Sequence, residues 1–352
     1  SATTYTGTGL TNGTPATFRV TALNIAGRTD AELVTATPVA PPARVTNIQV
    51  AVDRLTSEVT MTWDWTATPH SEDLQGFTIW AGQPVVENLA PEVRRATFVL
   101  PDAGTGRVEV EAEGVHQSSW AKSAEVTWPG LDTTAPRARV AGIKAVLLGS
   151  ATTISLRARD DRKLATRPMD LRWRSAAQGE RLGPWRRPAS WQGVAKGSRT
   201  VKGLAAGATY CFSTRARDHA GNVSRWSPAR CTAVAKDDRA LSVRTGSWQD
   251  LSGRRWFRST ARRTTSAGAT LGVGRVRADY LWIVTTTCPT CGRLEVRSGR
   301  AVVGRVSLRS AVRRDRRVIR LPWAMRTAGR VTLRAVDGGK PVFVDGIASR
   351  SY

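Results

Sequence analysis

The sequence predicts an all-β chain, a row of two-layer sandwiches followed by a further β-sandwich or jelly roll, and three observations carry that prediction. Apolar and polar residues alternate at period two along the 352 residues, and no sustained helical periodicity competes with them. The string from Leu10 through Phe18-Arg19-Val20-Thr21-Ala22 to Asn24-Ile25-Ala26-Gly27 returns as Leu204 through Tyr210-Cys211-Phe212-Ser213-Thr214 to His219-Ala220-Gly221. Recurrence at a domain-sized period marks repeated modules. Between the alternating segments lie Gly-, Pro- and Asn-rich turns.

Taken in order, residues 1–40 read as the closing strands of a sandwich, with strands expected at 2–6, 17–23 and 31–37. A whole sandwich takes roughly 100 residues, so this segment is expected to be partial, with Ser1 inside a domain. Val39-Ala40-Pro41-Pro42 is a stiff junction. Residues 43–130 supply a full module. Val59-Thr60-Met61-Thr62-Trp63 turns its Trp inward, 77–80 forms the next strand, and Val108-Glu109-Val110-Glu111-Ala112 points its acids outward. Residues 134–238 form a third module in which Tyr210, Phe212, Thr214 and Ala216 face inward, and Trp226-Ser227-Pro228 opens the last strand. Residues 242–352 follow another pattern, with strands expected at 280–285, 294–296, 302–308, 318–321, 331–336 and 342–347.

Leu10, Asn12-Gly13-Thr14, Phe18-Arg19-Val20-Thr21-Ala22 and Asn24-Ile25-Ala26-Gly27 together resemble the end of a fibronectin type III domain, and Leu204 and Tyr210 have that family's spacing from leucine to corner tyrosine. The resemblance implies tandem sandwiches; the third module also suits an immunoglobulin-like relative. The corner position holds Ala16 in the first module and Gly106 in the second, which removes one hydrogen bond from each. The run from Gly339 through Pro341 to Ile347 looks like the closing strand of carboxy-terminal β-modules carried by secreted proteins of high-GC Gram-positive bacteria, which are similar to carbohydrate-binding jelly rolls. That likeness implies an architecture more than an activity.

Charge is unevenly spread. Residues 1–130 hold 8 Lys/Arg against 14 Asp/Glu, residues 131–240 hold 22 against 8, and residues 241–352 hold 23 against 6, giving −6, +14 and +17. A basic back half attracts polyanions over long range. Arg outnumbers Lys 46 to 7 beside abundant Ala and Gly, a bias that GC-rich codon usage also produces. No run of about 18 apolar residues offers a membrane span.

Four cysteines remain. Cys211 falls on the outward phase of its strand, and Cys211 and Cys231 are symmetric about Gly221. A cross-strand disulfide is expected there, with Cα atoms about 5.5 Å apart. Cys288 and Cys291 flank a hairpin tip; since the motif opens a strand and not a helix, a clamp is favoured over a redox pair. Two disulfides point to an oxidising compartment, extracellular or at the cell surface.

For chemistry, His70, His116 and His219 lie in polar loops or turns, Asp160 and Asp161 diverge, and Asp337 and Asp345 are assigned to separate turns. No metal spacing, phosphate loop or catalytic constellation is legible, and no cofactor is expected. Binding is the surviving class. Trp185, Trp191, Trp248, Trp256 and Trp323 lie beside turns, prolines or Arg pairs, where packing under an Arg side chain is favoured over exposure; of these, Trp248, Trp256 and Trp323 are candidate ligand contacts, as are Arg313, Arg314, Arg316 and Arg317 before the strand at 318–321. The chain reads as a monomeric, non-catalytic accessory region that spaces and tethers, with polysaccharide or cell-wall polymer as the expected ligand and nucleic acid disfavoured for want of a recognition motif. Two alternatives stay open, a structural adhesion stalk and the tail of an extracellular hydrolase whose catalytic domain precedes Ser1.

Overall fold

The computed structural model describes residues 4–323 and 326–352. The chain folds as two compact units, Ser1–Thr133 and Thr134–Tyr352, and both are all-β, relieved among the described residues only by single turns of 3₁₀ helix.

In the first unit the opening segment forms two small antiparallel pairs, Ala16–Phe18 with Val34–Ala36 and Thr21–Asn24 with Gly27–Asp30. The expected strand over 17–23 therefore breaks at Arg19-Val20, and Thr4, Tyr5 and Thr6 lie outside any strand; Ser1, Ala2 and Thr3 fall outside the described residues. Val20, Leu23 and Ile25 are 72, 76 and 109 % exposed. With no opposing sheet, the apolar phase of these strands has nothing to bury against, and a lone two-stranded ladder does not hold a long register.

The second module has the expected sandwich. Thr46–Val52, Glu58–Asp64 and Arg95–Val99 form one sheet. Ser118–Trp128, Gly104–Glu113, Gly76–Trp80 and Pro84–Leu89 form the other, in that order. Val59, Met61, Trp63, Phe77, Ile79, Val108 and Val110 meet between them, fully or almost fully buried. Each such side chain contributes about 1.5–3 kcal/mol on burial. Trp63 meets Phe77 edge-on at 5.4 Å.

The second unit opens with the same plan. A three-stranded sheet of Arg137–Ala141, Thr152–Arg159 and Gly197–Val201 faces a sheet ordered Val146–Leu147, Arg230–Val234, Thr209–Asp218, Leu164–Ala176. Tyr210 makes the corner contact that its spacing implies, its hydroxyl accepting from the Ala205 N–H at 3.0 Å. Cys211 and Cys231 stand directly opposite and are bonded, with Cα atoms 4.0 Å apart. That is shorter than expected, and near the ~4.5 Å of opposed residues that share no backbone hydrogen bonds.

The last module carries a five-stranded sheet, Ser242–Thr245, Thr270–Ala278, Thr327–Ala335, Arg293–Ser298, Ala301–Ser307. Two further sheets complete it, one of Gln249–Ser252, Thr260–Thr264 and Val342–Val344, the other of Lys236–Asp237, Gly346–Arg350, Tyr280–Thr287 and Arg314–Arg320. Two expectations are corrected here. The strand over 342–347 is two strands in two sheets, divided at Asp345, and Asp345 is wholly buried, not in an exposed turn. The Arg-rich stretch does not precede its strand but enters it, since that strand begins at Arg314.

Modules three and four are joined by a core of their own. Lys236 and Asp237, between them in sequence, pair with Ile347 and Gly346. Ala233, Ala235, Phe257, Trp282, Val284 and Ala348 close an apolar cluster at that joint. The Thr209 hydroxyl donates to the Ser349 carbonyl at 3.1 Å and accepts from the Ser351 N–H at 2.8 Å. Tyr280–Thr287 serves both sides, with Leu281 and Ile283 in the core of the last module and Trp282 and Val284 in the joint.

Candidate anion-binding surface

In the third module Leu164–Ala176 pairs with Thr209–Asp218 so that Asp170 opposes Arg215 and Arg174 opposes Cys211. Met169 and Leu171 point into the core, so alternation sends Asp170, Arg172 and Arg174 to the outer face. Two indoles reach that face from irregular segments. Trp185 is held by the backbone pairing of its neighbour Arg186 with Trp173 (3.0 and 2.7 Å), and Trp226 by its neighbour Ser227, whose N–H donates to the Thr214 carbonyl at 2.7 Å. The result is an alternating stack. The Arg172 guanidinium lies 4.3 Å from both the Trp185 and the Trp226 ring, Arg174 lies 4.6 Å from Trp185, and Arg187 and Arg215 lie 5.2 and 4.9 Å from Trp226. Cation–π contacts of this kind are worth about 0.5–2 kcal/mol each. Asp170 pairs with Arg215 at 2.9 Å. Burial foremost, then the charges of Arg187, Arg174 and Arg215, pulls the pKa of the Arg172 guanidinium below its ordinary value.

Arg174 also lines a cleft of about 540 Å³ between modules three and four, together with Arg230, Arg326, Arg350, Asp279 and Tyr352. A second hollow of about 280 Å³ shares Ile143 and Arg230 with it and adds Arg139. Arg350 is fixed by Tyr280 (4.1 Å) and Asp279 (3.7 Å), and the Tyr352 hydroxyl donates to the Arg326 carbonyl at 2.8 Å. Cys231 forms part of the wall, and the Cys211–Cys231 bond ties the strand that carries Arg230 to Thr209–Asp218, the strand on which Cys211 stands opposite Arg174.

The residues expected from sequence fall elsewhere. Trp256 and Trp323 are 4 and 6 % exposed core residues and offer no open ring to a sugar, while Trp248 is half-buried against the same core. Flanking Arg and Pro suggested exposure, but Trp256 stacks on Phe343 at 5.7 Å and Trp323 donates its indole N–H to the Ala278 carbonyl at 3.2 Å. Arg316 is spent on structure, donating to the carbonyls of Arg255 (3.0 Å), Trp256 (2.9 Å) and Arg254. Arg313 pairs with Asp315 at 3.2 Å and lies over Trp256 and Phe343. Arg314 and Arg317 are exposed on the strand. Cys288 and Cys291 are bonded to each other and buried in the core of the last module.

Several acidic groups in this unit are interior. The Asp345 carboxylate accepts the Phe257 N–H with both oxygens at 2.9 Å, and burial, against that hydrogen bond, pushes its pKa up to about 7, with Asp238 and Asp237 adding repulsion. Asp238 is raised as well, chiefly by burial. Glu295, 1 % exposed, is held low foremost by Arg297 and then by Arg305, at 2.6 and 2.8 Å. In the first unit His116 lies 3.6 Å from Glu72 and His70 is exposed; His219, in the second unit, is exposed as well.

For Trp185 the expected packing under Arg is found, with Arg172 and Arg174 on its ring. The stack as a whole escaped the sequence reading because its six members come from four separated segments.

No family model matches the chain, and no curated protein matches it. Among solved structures it is similar to fibronectin(III)-like modules of Clostridium thermocellum CbhA, at 13 % identity over 55 % of this chain and 90 % of that one, with a TM-score of 0.23. The chicken CNTN1 FN1–FN3 domains are similar at 12 % identity over 88 and 100 %, with a TM-score of 0.27. An exo-beta-1,3-galactanase from Phanerochaete chrysosporium, solved with galactose, is similar at 12 % identity over 86 and 81 %, with a TM-score of 0.27. Overlaps this small identify neither a family nor an activity for this chain.

Proposed function

We propose that this chain is a non-catalytic accessory region of an extracellular or surface-attached protein, in which the first unit acts as a spacer and the second binds an anionic cell-wall polymer or polysaccharide. The observation that carries the reading is the stack of Arg174, Arg172, Arg187 and Arg215 on Trp185 and Trp226, with Asp170 as the carboxylate paired within it. Stacking removes rotamer freedom from long side chains before any ligand arrives, which lowers the entropic cost of binding. Guanidinium groups match carboxylate and phosphate oxygens with paired donors. Two disulfides fit an oxidising compartment.

Co-sedimentation of the whole chain with insoluble cell wall and with neutral polysaccharide, over a salt series, tests the reading. Retention on the anionic wall that survives to about 0.15 M salt is expected, where screening has shortened the reach of surface charge to about 8 Å. Absence of retention at low salt overturns it.

A further inference from the structure

We infer that the cleft between modules three and four is the specific subsite of the second unit, taking one or two sugar or polyol units that carry an oxyanion. The inference rests on the reading that this unit binds an anionic polymer, and it assigns that binding to a place the stack alone does not mark. The cleft, about 540 Å³, falls in the size range of small-ligand sites, and the adjoining hollow of about 280 Å³ extends it. Their lining brings together Arg139, Arg174, Arg230, Arg326 and Arg350 against the single carboxylate of Asp279. Arg174 and Arg350 are pre-oriented on Trp185 and Tyr280. Arg230 and Arg326 are exposed, and neither side chain has an ion pair or hydrogen bond among the described residues. Two fixed guanidinium groups beside two unengaged ones form a receptor for a repeating oxyanion. Tyr352 adds an aromatic wall, with Arg277 on its ring at 4.6 Å. The Arg172–Trp185–Arg174 stack leads into this cleft through Arg174, so a bound polymer has a basic track to lie along.

The test uses the full chain and four probes: a short galacturonate oligomer, a poly(glycerol phosphate), a neutral maltodextrin and a single-stranded oligonucleotide. Three proteins are compared by calorimetry at physiological salt: wild type, Arg230→Gln/Arg326→Gln, and Arg314→Gln/Arg317→Gln, which removes the same charge from an exposed strand of the same unit. The expected result is binding of one or both anionic probes, weakened at least about tenfold in the cleft variant and little changed in the strand variant. Preference between the two anionic probes identifies carboxylate or phosphate as the partner group. Equal losses in both variants mean that general charge is responsible and overturn the inference while leaving the proposed function standing. If wild type binds neither anionic probe, or binds the maltodextrin as well as it binds them, or binds a single-stranded oligonucleotide more tightly, the inference and the reading beneath it both fall.

Discussion

Asp345 shows what one buried side chain does at a break between strands. It sits between Val342–Val344 and Gly346–Arg350 and ties the chain to Phe257, with Asp237 and Asp238 close enough to repel it. Its carboxyl is raised to about 7, so the folded state holds a proton that the unfolded chain has released from about pH 4 upward. Stability from this group is therefore greatest at low pH and is lost as pH rises through 7. Asp345→Asn keeps an acceptor for Phe257 and removes the titration. The variant is expected to flatten the decline in thermal midpoint between pH 5 and 8, and at pH 8 to exceed wild type by about 1–3 kcal/mol. Parallel pH profiles for the two proteins would refute this assignment. Asp237 and Glu295, whose pKa values are lowered, act in the opposite sense and only below that window.

At the scale of strands, much was legible and the failures have definite causes. Alternation located Glu58–Asp64, Gly76–Trp80 and Gly104–Glu113, and the symmetry of Cys211 and Cys231 about Gly221 located their bond. The strand expected at 280–285 is present as Tyr280–Thr287, but its burial on both faces went unread; a continuous apolar run is the mark of such a strand, and it was the available sign of the joint. Trp256 and Trp323 were misplaced because chain neighbours do not report what packs across a sandwich. The Cys211–Cys231 bond has a stability consequence of its own. It closes a loop with a sequence separation of 20, and replacing both cysteines by Ala is expected to cost about 3 kcal/mol, read as a shift in denaturation midpoint at unchanged slope. A shift under about 0.5 kcal/mol would mean that the strand pairing needs no such constraint.

Across the whole second unit, the apolar joint makes modules three and four a single cooperative body. Ala233 and Ala235 from one module pack with Phe257, Trp282, Val284 and Ala348 from the other. Residues 134–352 are expected to melt in one calorimetric transition whose van't Hoff and calorimetric enthalpies agree. Two resolved transitions would show that the joint is too weak to couple them. None of this was visible at the expected boundary between 238 and 242, because an inter-module interface is written in residues that each look like core of their own module.

The hydrogen bonds of Thr209 with Ser349 and Ser351 span about 140 residues of sequence. During folding such a contact closes after nearly every local ladder, since the entropy of bringing distant segments together must be met first. Until Gly346–Arg350 arrives, Ala233, Ala235, Trp282 and Val284 are solvent-facing, and the cleft with its arginines does not yet exist. The same strand thus ends the interval in which this unit is most prone to aggregate and completes the cleft.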